Sequence, residues 1–320
     1  MSDARPAPSW GRIALRTVLT AGIAAAIIWW SLRGTDWAAV RDGLDPSVLP
    51  ALMGCVLVFA VSFGTCDVLA FGAAWRRHLD PQVPWRDVRT LVLGKQLLFA
   101  TVPLLTKTVP PAYFWRRRGL PLGRVVGASE LVSMAELLVV LTVVAITALT
   151  GQADLGPTST WVVVGLWLAM VVGACWVRRP GARGDLGGLL RALRTAAPRE
   201  LVTQLGLRAL HLTVAVSCVG VLLHRWGADL DLGRLVVFGA LFLISGTLPI
   251  SLGGFGGPQG VAVALLVHSW GVLSAPQALG FSLCWSTAVL VTQLATGTVH
   301  LPRLLRLLRA QPTDRPISRS

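Results

Sequence analysis

Apolar residues fill long stretches of this chain without the alternation of a strand or the one-sided stripe of a surface helix. Runs close to the ~20 residues that cross a bilayer core occupy about 13–32, 48–73, 125–150, 160–177, 201–223 and 278–300. Two further apolar runs, about 88–114 and 233–270, are interrupted. The pattern predicts an all-α, polytopic membrane helical bundle of six full spans plus two broken hairpins. The sharpest interruption is Thr247–Gly260, TLPISLGGFGGPQG, with five glycines and two prolines. Hydrocarbon offers no partner to a freed N–H or C=O, so broken backbone at that depth needs protein or a water-filled cavity around it. The segment is therefore a candidate site.

Composition changes the picture in one respect. With 54% hydrophobic residues among 320, little mass remains for a soluble domain, so the net charge of +14 reads as cytoplasmic bias of Arg rather than as a nucleic-acid surface. Placing the N-terminus inside puts Arg76, Arg77, Arg116–Arg118, Arg124, Arg178, Arg194 and Arg303 on the cytoplasmic side and leaves Arg33, Arg41, Arg225 and Arg234 outside. The count works only if each interrupted run enters and leaves on one face. WRRH and YFWRRR flank the first run, making 88–114 a re-entrant hairpin from the inside and 233–270 one from the outside. Trp29, Trp30, Trp37, Trp161, Trp226 and Trp270 then mark the outer boundary, and Trp10, Trp75, Trp85, Trp115 and Trp176 the inner one, as an aromatic belt does. Both termini are expected to be cytoplasmic.

The order span, hairpin, span occurs twice, at 48–150 and 201–300, and TVPLLTKTVPP (Thr101–Pro111) can be laid on TLPISLGGFGG (Thr247–Gly257). Two such units of opposite orientation make an inverted repeat, in which substrate sites lie near the midplane where broken helices meet. The chain is one membrane domain, with a basic cytoplasmic loop at 178–199 and a basic tail at 301–320. Within these, DLGGLLRALRT (Asp185–Thr195) and LPRLLRLLRA (Leu301–Ala310) read as interfacial amphipathic helices. The N-terminal run lacks a small-residue cleavage site and reads as a first span.

Chemistry-bearing residues are sparse. The chain has only two lysines, Lys95 and Lys107, both in the first hairpin. An ammonium inside the bilayer is costly unless a partner or cavity receives it. Lys95 reads best as snorkelling to the interface, whereas Lys107 is placed to meet an anionic headgroup. Asp67, Glu130 and Glu136 are acids in apolar surroundings. Glu136 needs a proton or a basic partner, for which Lys107 or Arg208 could serve, giving a proton-coupled or headgroup-contacting site or a structural ion pair that ties a span to a hairpin. For Arg208 the better reading is snorkelling. In the glycine break, Gly253, Gly254 and Gly256 permit close approach and positive φ, Pro258 can start a helix whose amides attract anions, and Gln259 can donate or accept. No strand precedes these glycines and no Walker lysine follows, so they are not a nucleotide loop. The five cysteines lie in apolar runs without metal or redox spacing and read as core residues. No catalytic constellation or cofactor motif is present, and no enzymatic activity is expected.

LPISLGGFGGPQG, together with ATVPLLTKTVPPAYFWRRRGLP and the Glu-bearing span after it, resembles the lysylphosphatidylglycerol synthase transmembrane-region family, also called flippase-like membrane proteins, over about 12–305. The resemblance implies a bacterial inner-membrane protein with two re-entrant segments that acts on lipids or lipid-linked intermediates. The better-known members carry a soluble aminoacyl-transferase domain; nothing in this sequence would encode one, so lipid lysylation is not expected. Two positions depart from the pattern. Val109, Pro110 and Pro111 stand where many members resemble P-x-x-x-G-E, although Arg116 follows, and Gln259 replaces the acid of G-G-x-G-x-x-E. The losses point to a different or more neutral substrate.

The reading is a translocase with a phospholipid or polyisoprenoid partner. Lys107 and Arg116 would draw the headgroup, Glu136 and Asp67 would contact it or tie the spans, and Gly253 to Gln259 would shape the opposite wall. The alternative is a non-transporting membrane partner that presents a polyprenyl or hopanoid-type lipid to a glycosyltransferase or other lipid-modifying enzyme.

Overall fold

The computed structural model describes residues 46–101, 106–179, 188–247, 251 and 254–309, with Gly22, Trp29 and Ala38 as isolated positions. The span expected at 13–32 lies outside the described residues. The other five expected spans are helices long and apolar enough to cross a membrane. They are α1 (Leu49–His78), α4 (Leu122–Leu149), α5 (Pro157–Arg178), α7 (Pro198–Arg225) and α10 (Ala275–Arg309). The first interrupted run is α2 (Trp85–Thr101) and α3 (Val109–Arg118), and a short α6 (Arg191–Thr195) precedes α7. The second is α8 (Leu232–Ser245) and α9 (Gly257–Ala262), which continues as a π-helix over Val263–Ser269. No strand occurs among the described residues.

Local chemistry explains the boundaries. Proline stands in the first turn of α3, α5, α7 and α9, where its missing N–H costs nothing. Asp231 accepts from Arg234 N at 2.8 Å to cap α8, as N-cap aspartates do. The last turns of α1 and α3 end in Arg76-Arg77-His78 and Arg116-Arg117-Arg118, cations that suit the negative end of a helix dipole.

Polar contacts sort the helix ends into two groups. At the basic end, His78 meets Glu200 at 2.7 Å and Arg124 Nε donates to His78 O at 2.9 Å, joining the end of α1 to the starts of α7 and α4. Arg116 donates to Leu308 O at 2.7 Å, and Arg303 approaches Asp87 at 3.6 Å, so α10 finishes there too. Tyr113 Oη donates to Asp87 Oδ2 at 3.1 Å, which anchors both legs of the first broken pair at this end. At the opposite end, Arg234 pairs with Asp154 at 2.8 Å and lies 5.9 Å over the Trp270 ring. Both legs of the second pair close there. The outer ends of the first broken pair thus lie at the basic end and those of the second at the opposite one.

Packing corrects three expectations. Leu301–Arg309 is not a separate interfacial helix: it extends α10, and Leu304 and Leu307 are buried in the core around Trp75 and Phe114. Residues 185–187 of the other amphipathic segment lie outside the described residues, while Ala192 and Leu193 of α6 are buried against α4 and α5. Trp75 is fully buried and donates to Ser129 Oγ at 3.1 Å, so it belongs to the core rather than to the aromatic belt. Trp161, Trp115 and Trp176 are exposed.

A close backbone approach joins α2 to α10. A Cβ on Gly297 would strike Leu97 N and Cα, the small-residue contact by which helices pack closely in lipid. Gly297→Leu should lower the melting temperature of the purified protein, at a cost of about 1–3 kcal/mol. Gly165→Ala, with open space at its Cβ, should leave it unchanged; equal melting of the two variants would contradict this packing.

Candidate functional site

Four helices bring charge to one place inside the bundle. Asp67 lies eleven residues before His78, Lys95 ten after Trp85, Glu136 fourteen after Leu122 and Arg208 ten after Pro198. At ~1.5 Å per residue each sits roughly 15–20 Å from the basic end, near the middle of a ~30 Å hydrocarbon core. Arg208 Nη1 donates to Asp67 Oδ1 at 2.6 Å and lies 3.7 Å from Glu136 Oε2. Its side chain is 1% exposed, that of Asp67 5% and that of Glu136 31%. Arg208 Nε is buried with no hydrogen-bond partner among the described residues.

Lys95 completes the group. Its ammonium lies 3.9 Å over the Phe71 ring, within electrostatic reach of Asp67, Arg208 and Glu136. No carboxylate among the described residues stands within ion-pair distance of it. A cation held by a ring face instead of a carboxylate remains able to take an anion. Formal charges cancel across the cluster, two against two, so the group is internally compensated while keeping donors to spare.

An aromatic strip leads from the cluster toward the second broken pair. The buried His211 ring packs between Phe59 and Phe63 at centroid distances of 5.3 and 5.2 Å, with Ser62 Oγ 3.3 Å from Nδ1. Phe59 meets Trp285 at 5.3 Å, next to the serine that binds the glycine break. In that break, Ser251 Oγ donates to Ser245 O at 2.6 Å and accepts from Gly257 N at 3.1 Å, bridging the end of α8 to the start of α9. Gln259 Oε1 accepts from Gly256 N at 2.6 Å, and its Nε2 donates to Ser286 Oγ at 3.1 Å and to Ser282 O at 3.3 Å. Ser286 Oγ donates in turn to Gly254 O at 2.9 Å. Gly256 has φ +102° and Gly254 φ +87°, conformations that favour glycine.

The expected site residues therefore fall into three places. Asp67 and Glu136 meet through Arg208. Gly254, Gly256 and Gln259 meet at the second break, where the Gln259 side-chain amide is used by the protein and the N–H groups of Gly256 and Gly257 already have acceptors. Gly253 lies outside the described residues. Lys107 pairs with Glu130 at 3.1 Å, its side chain 78% exposed, and does not reach Glu136. Arg116 is exposed and caps the last turn of α10. Two assignments made for neighbouring cations are corrected. Arg208 does not snorkel, because Asp67 and Glu136 hold it inside; Lys95 points to Phe71 and the cluster rather than to the interface. The overlooked signal was depth: Asp67, Lys95, Glu136 and Arg208 are nearly equidistant from Arg-rich helix ends. Among the described residues no group of His, Cys, Asp and Glu could hold a metal ion.

A family model described as the lysylphosphatidylglycerol synthase TM region matches residues 17–297. No curated protein matches the chain.

The ion pair sets a stability test. Arg208→Met strands two acids in the bundle and should cost about 3–5 kcal/mol. Asp67→Asn combined with Arg208→Met should recover a large part of that loss in detergent unfolding; strictly additive losses would mean that the two side chains are not coupled.

Proposed function

The chain belongs to the lysylphosphatidylglycerol synthase transmembrane-region family, and from its buried charges we propose that it is a translocase for a lipid or lipid-linked intermediate with an anionic headgroup. The observation that carries this reading is Lys95: a cation at mid-depth, beside two carboxylates and a guanidinium, without an ion pair of its own. Ionisable groups at such depth mark substrate pathways more often than structure alone, since burying them is costly. The broken pairs α2/α3 and α8/α9 act as re-entrant hairpins of an inverted repeat, in a multi-pass protein of the bacterial inner membrane. The basic end faces the cytoplasm by the bias of Arg, with both termini on that side.

The chemistry is electrostatic. A phosphate leaving the interface carries charge into hydrocarbon, and Lys95 with the spare Arg208 Nε supplies donors where water is lost. Glu136, less buried than Asp67 and farther from Arg208, is the carboxylate that yields its share of the cations while the headgroup passes. Acyl or isoprenoid chains stay in lipid throughout. Lys107, at the surface beside Glu130, attracts headgroups at most to the approach.

Proteoliposomes with fluorescent phospholipids test this. The wild type should speed headgroup reversal, Lys95→Met should slow it about tenfold or more, equivalent to ~1.4 kcal/mol of lost barrier lowering, and Lys107→Ala should change it less than about twofold. Unchanged flipping in Lys95→Met would remove the site. Absence of flipping in the wild type, with stable capture of a glycosyltransferase, would favour the presenting role instead.

A further inference from the structure

A second feature adjoins the cluster and is chemically unlike it. A cleft between α1, α2 and α10 is lined on one side by Phe59 and Phe63 and on the other by Gln96, Thr292, Gln293 and Thr296, with no charged residue in its wall. The polar positions are organised: Thr292, Gln293 and Thr296 form an i, i+1, i+4 stripe on one face of α10, and Gln96 faces them from α2. Gln96 is 5% exposed. Gln293 Oε1 is buried and without a partner among the described residues. Thr292 donates to Ala288 O at 2.8 Å. A buried carboxamide oxygen without a partner, with a second carboxamide facing it and a pair of stacked phenyl rings 6.0 Å apart opposite, calls for a ligand or water to satisfy it.

The cleft offers about 30 Å³ to small groups, room for two waters or two hydroxyls rather than for a whole headgroup. Its chemistry narrows the occupant. With no charge in the wall, an ammonium can donate to Gln293 Oε1 but finds no counter-charge, and a phosphate can only accept. An ester carbonyl accepts only and leaves Gln293 Oε1 unmet. A hydroxyl donates and accepts, so it satisfies a carboxamide whichever way its oxygen and nitrogen are turned. Position agrees: Lys95 immediately precedes Gln96, and Asp67 lies one turn beyond Phe63 and Gly64 on α1.

We propose that Gln96 and Gln293 form a subsite for the uncharged, hydroxyl-bearing part of a lipid headgroup, lying beside the charged cluster that takes its phosphate. The inference rests on the lipid-handling reading above and adds a substrate class to it: a phosphate carrying a polyol or a sugar. The phenyl rings support the C–H face of that group. An ammonium donates to a carboxamide oxygen but cannot accept from a carboxamide nitrogen, so an amine headgroup satisfies this wall less completely than a hydroxyl does.

Binding, measured on the full chain in detergent by native mass spectrometry, separates this from transport. Phosphatidylglycerol and phosphatidylpropanol of identical acyl chains differ only by two hydroxyls; glucosyl diacylglycerol supplies sugar hydroxyls without phosphate. The wild type should bind phosphatidylglycerol about tenfold more tightly than phosphatidylpropanol, one well-made polar contact's worth. In Gln96→Met with Gln293→Met the two affinities should become equal, with phosphatidylpropanol binding unchanged. A glucosyl lipid bound with the same Gln dependence would identify sugar hydroxyls as an accepted source. Equal wild-type affinity for all three lipids, or a preference that survives the double variant, would overturn the subsite. Thr296→Val, a milder change on the same stripe, should reduce the preference partway and covers the case in which the double variant fails to fold. Preference without flipping would leave the subsite standing and bring down the translocase reading alone.

Discussion

The contact between Arg208 and Asp67 sets the terms for the rest of the bundle. A guanidinium 1% exposed, at a depth where water is scarce, is tolerable only with a carboxylate at hydrogen-bond distance, here 2.6 Å, and removing either partner leaves a charge with nowhere to go. That requirement ties α1 to α7. It also holds α4 near, because Glu136 shares the same guanidinium. Three spans are thereby fixed about a polar centre instead of sliding on apolar faces that resemble the lipid around them. In a membrane, where Leu against Leu is scarcely better than Leu against an acyl chain, such a pin gives the bundle its register.

The second constraint is the broken backbone, and the protein meets it from within. Ser251 and Gln259 take up the freed groups of α8 and α9, and Ser282 and Ser286 on α10 support Gln259 from the other side. These contacts suit a glutamine at 259 better than an acid. A carboxylate at 259 could accept from Gly256 N but could not donate to Ser282 O or Ser286 Oγ, and it would bring a third negative charge to a bundle whose central cluster is already balanced. The described part of the glycine break is thus bound up by the protein's own polar groups, and the charged cluster lies on α1, α2, α4 and α7.

Much of the architecture was legible from hydropathy and arginine placement. Run length alone gives α1, α4, α5, α7 and α10, because crossing a bilayer imposes a length that few other demands imitate. That both ends of the first broken run lie together was readable from Arg76 and Arg77 on one side of it and Arg116–Arg118 on the other. Side-chain direction was not. Whether Lys95 turns outward to the interface or inward to Phe71 depends on the rotation of α2, which is fixed by its packing on α10 at Leu97 and Gly297 rather than by anything in its own sequence. The same holds for Arg208: only the proximity of Asp67, 141 positions away, makes burial cheaper than snorkelling. Gln96 and Gln293 are lone polar residues within apolar runs, and they acquire meaning only when three helices are set side by side.

The division of labour between cluster and cleft follows from dielectric reasoning. A headgroup phosphate loses its hydration before it reaches mid-depth, and the loss is offset only where fixed donors replace water. Lys95 and the spare Arg208 Nε are such donors, and they offer the same charge to any phosphate. Discrimination among anionic lipids must then come from whatever the headgroup adds to its phosphate. The uncharged cleft beside Lys95 is where that addition would lie. A neutral wall of carboxamides exerts no long-range pull, and its energy depends on hydrogen-bond geometry at short range. Charge therefore sets which lipids approach the centre, and the carboxamides select among those that reach it.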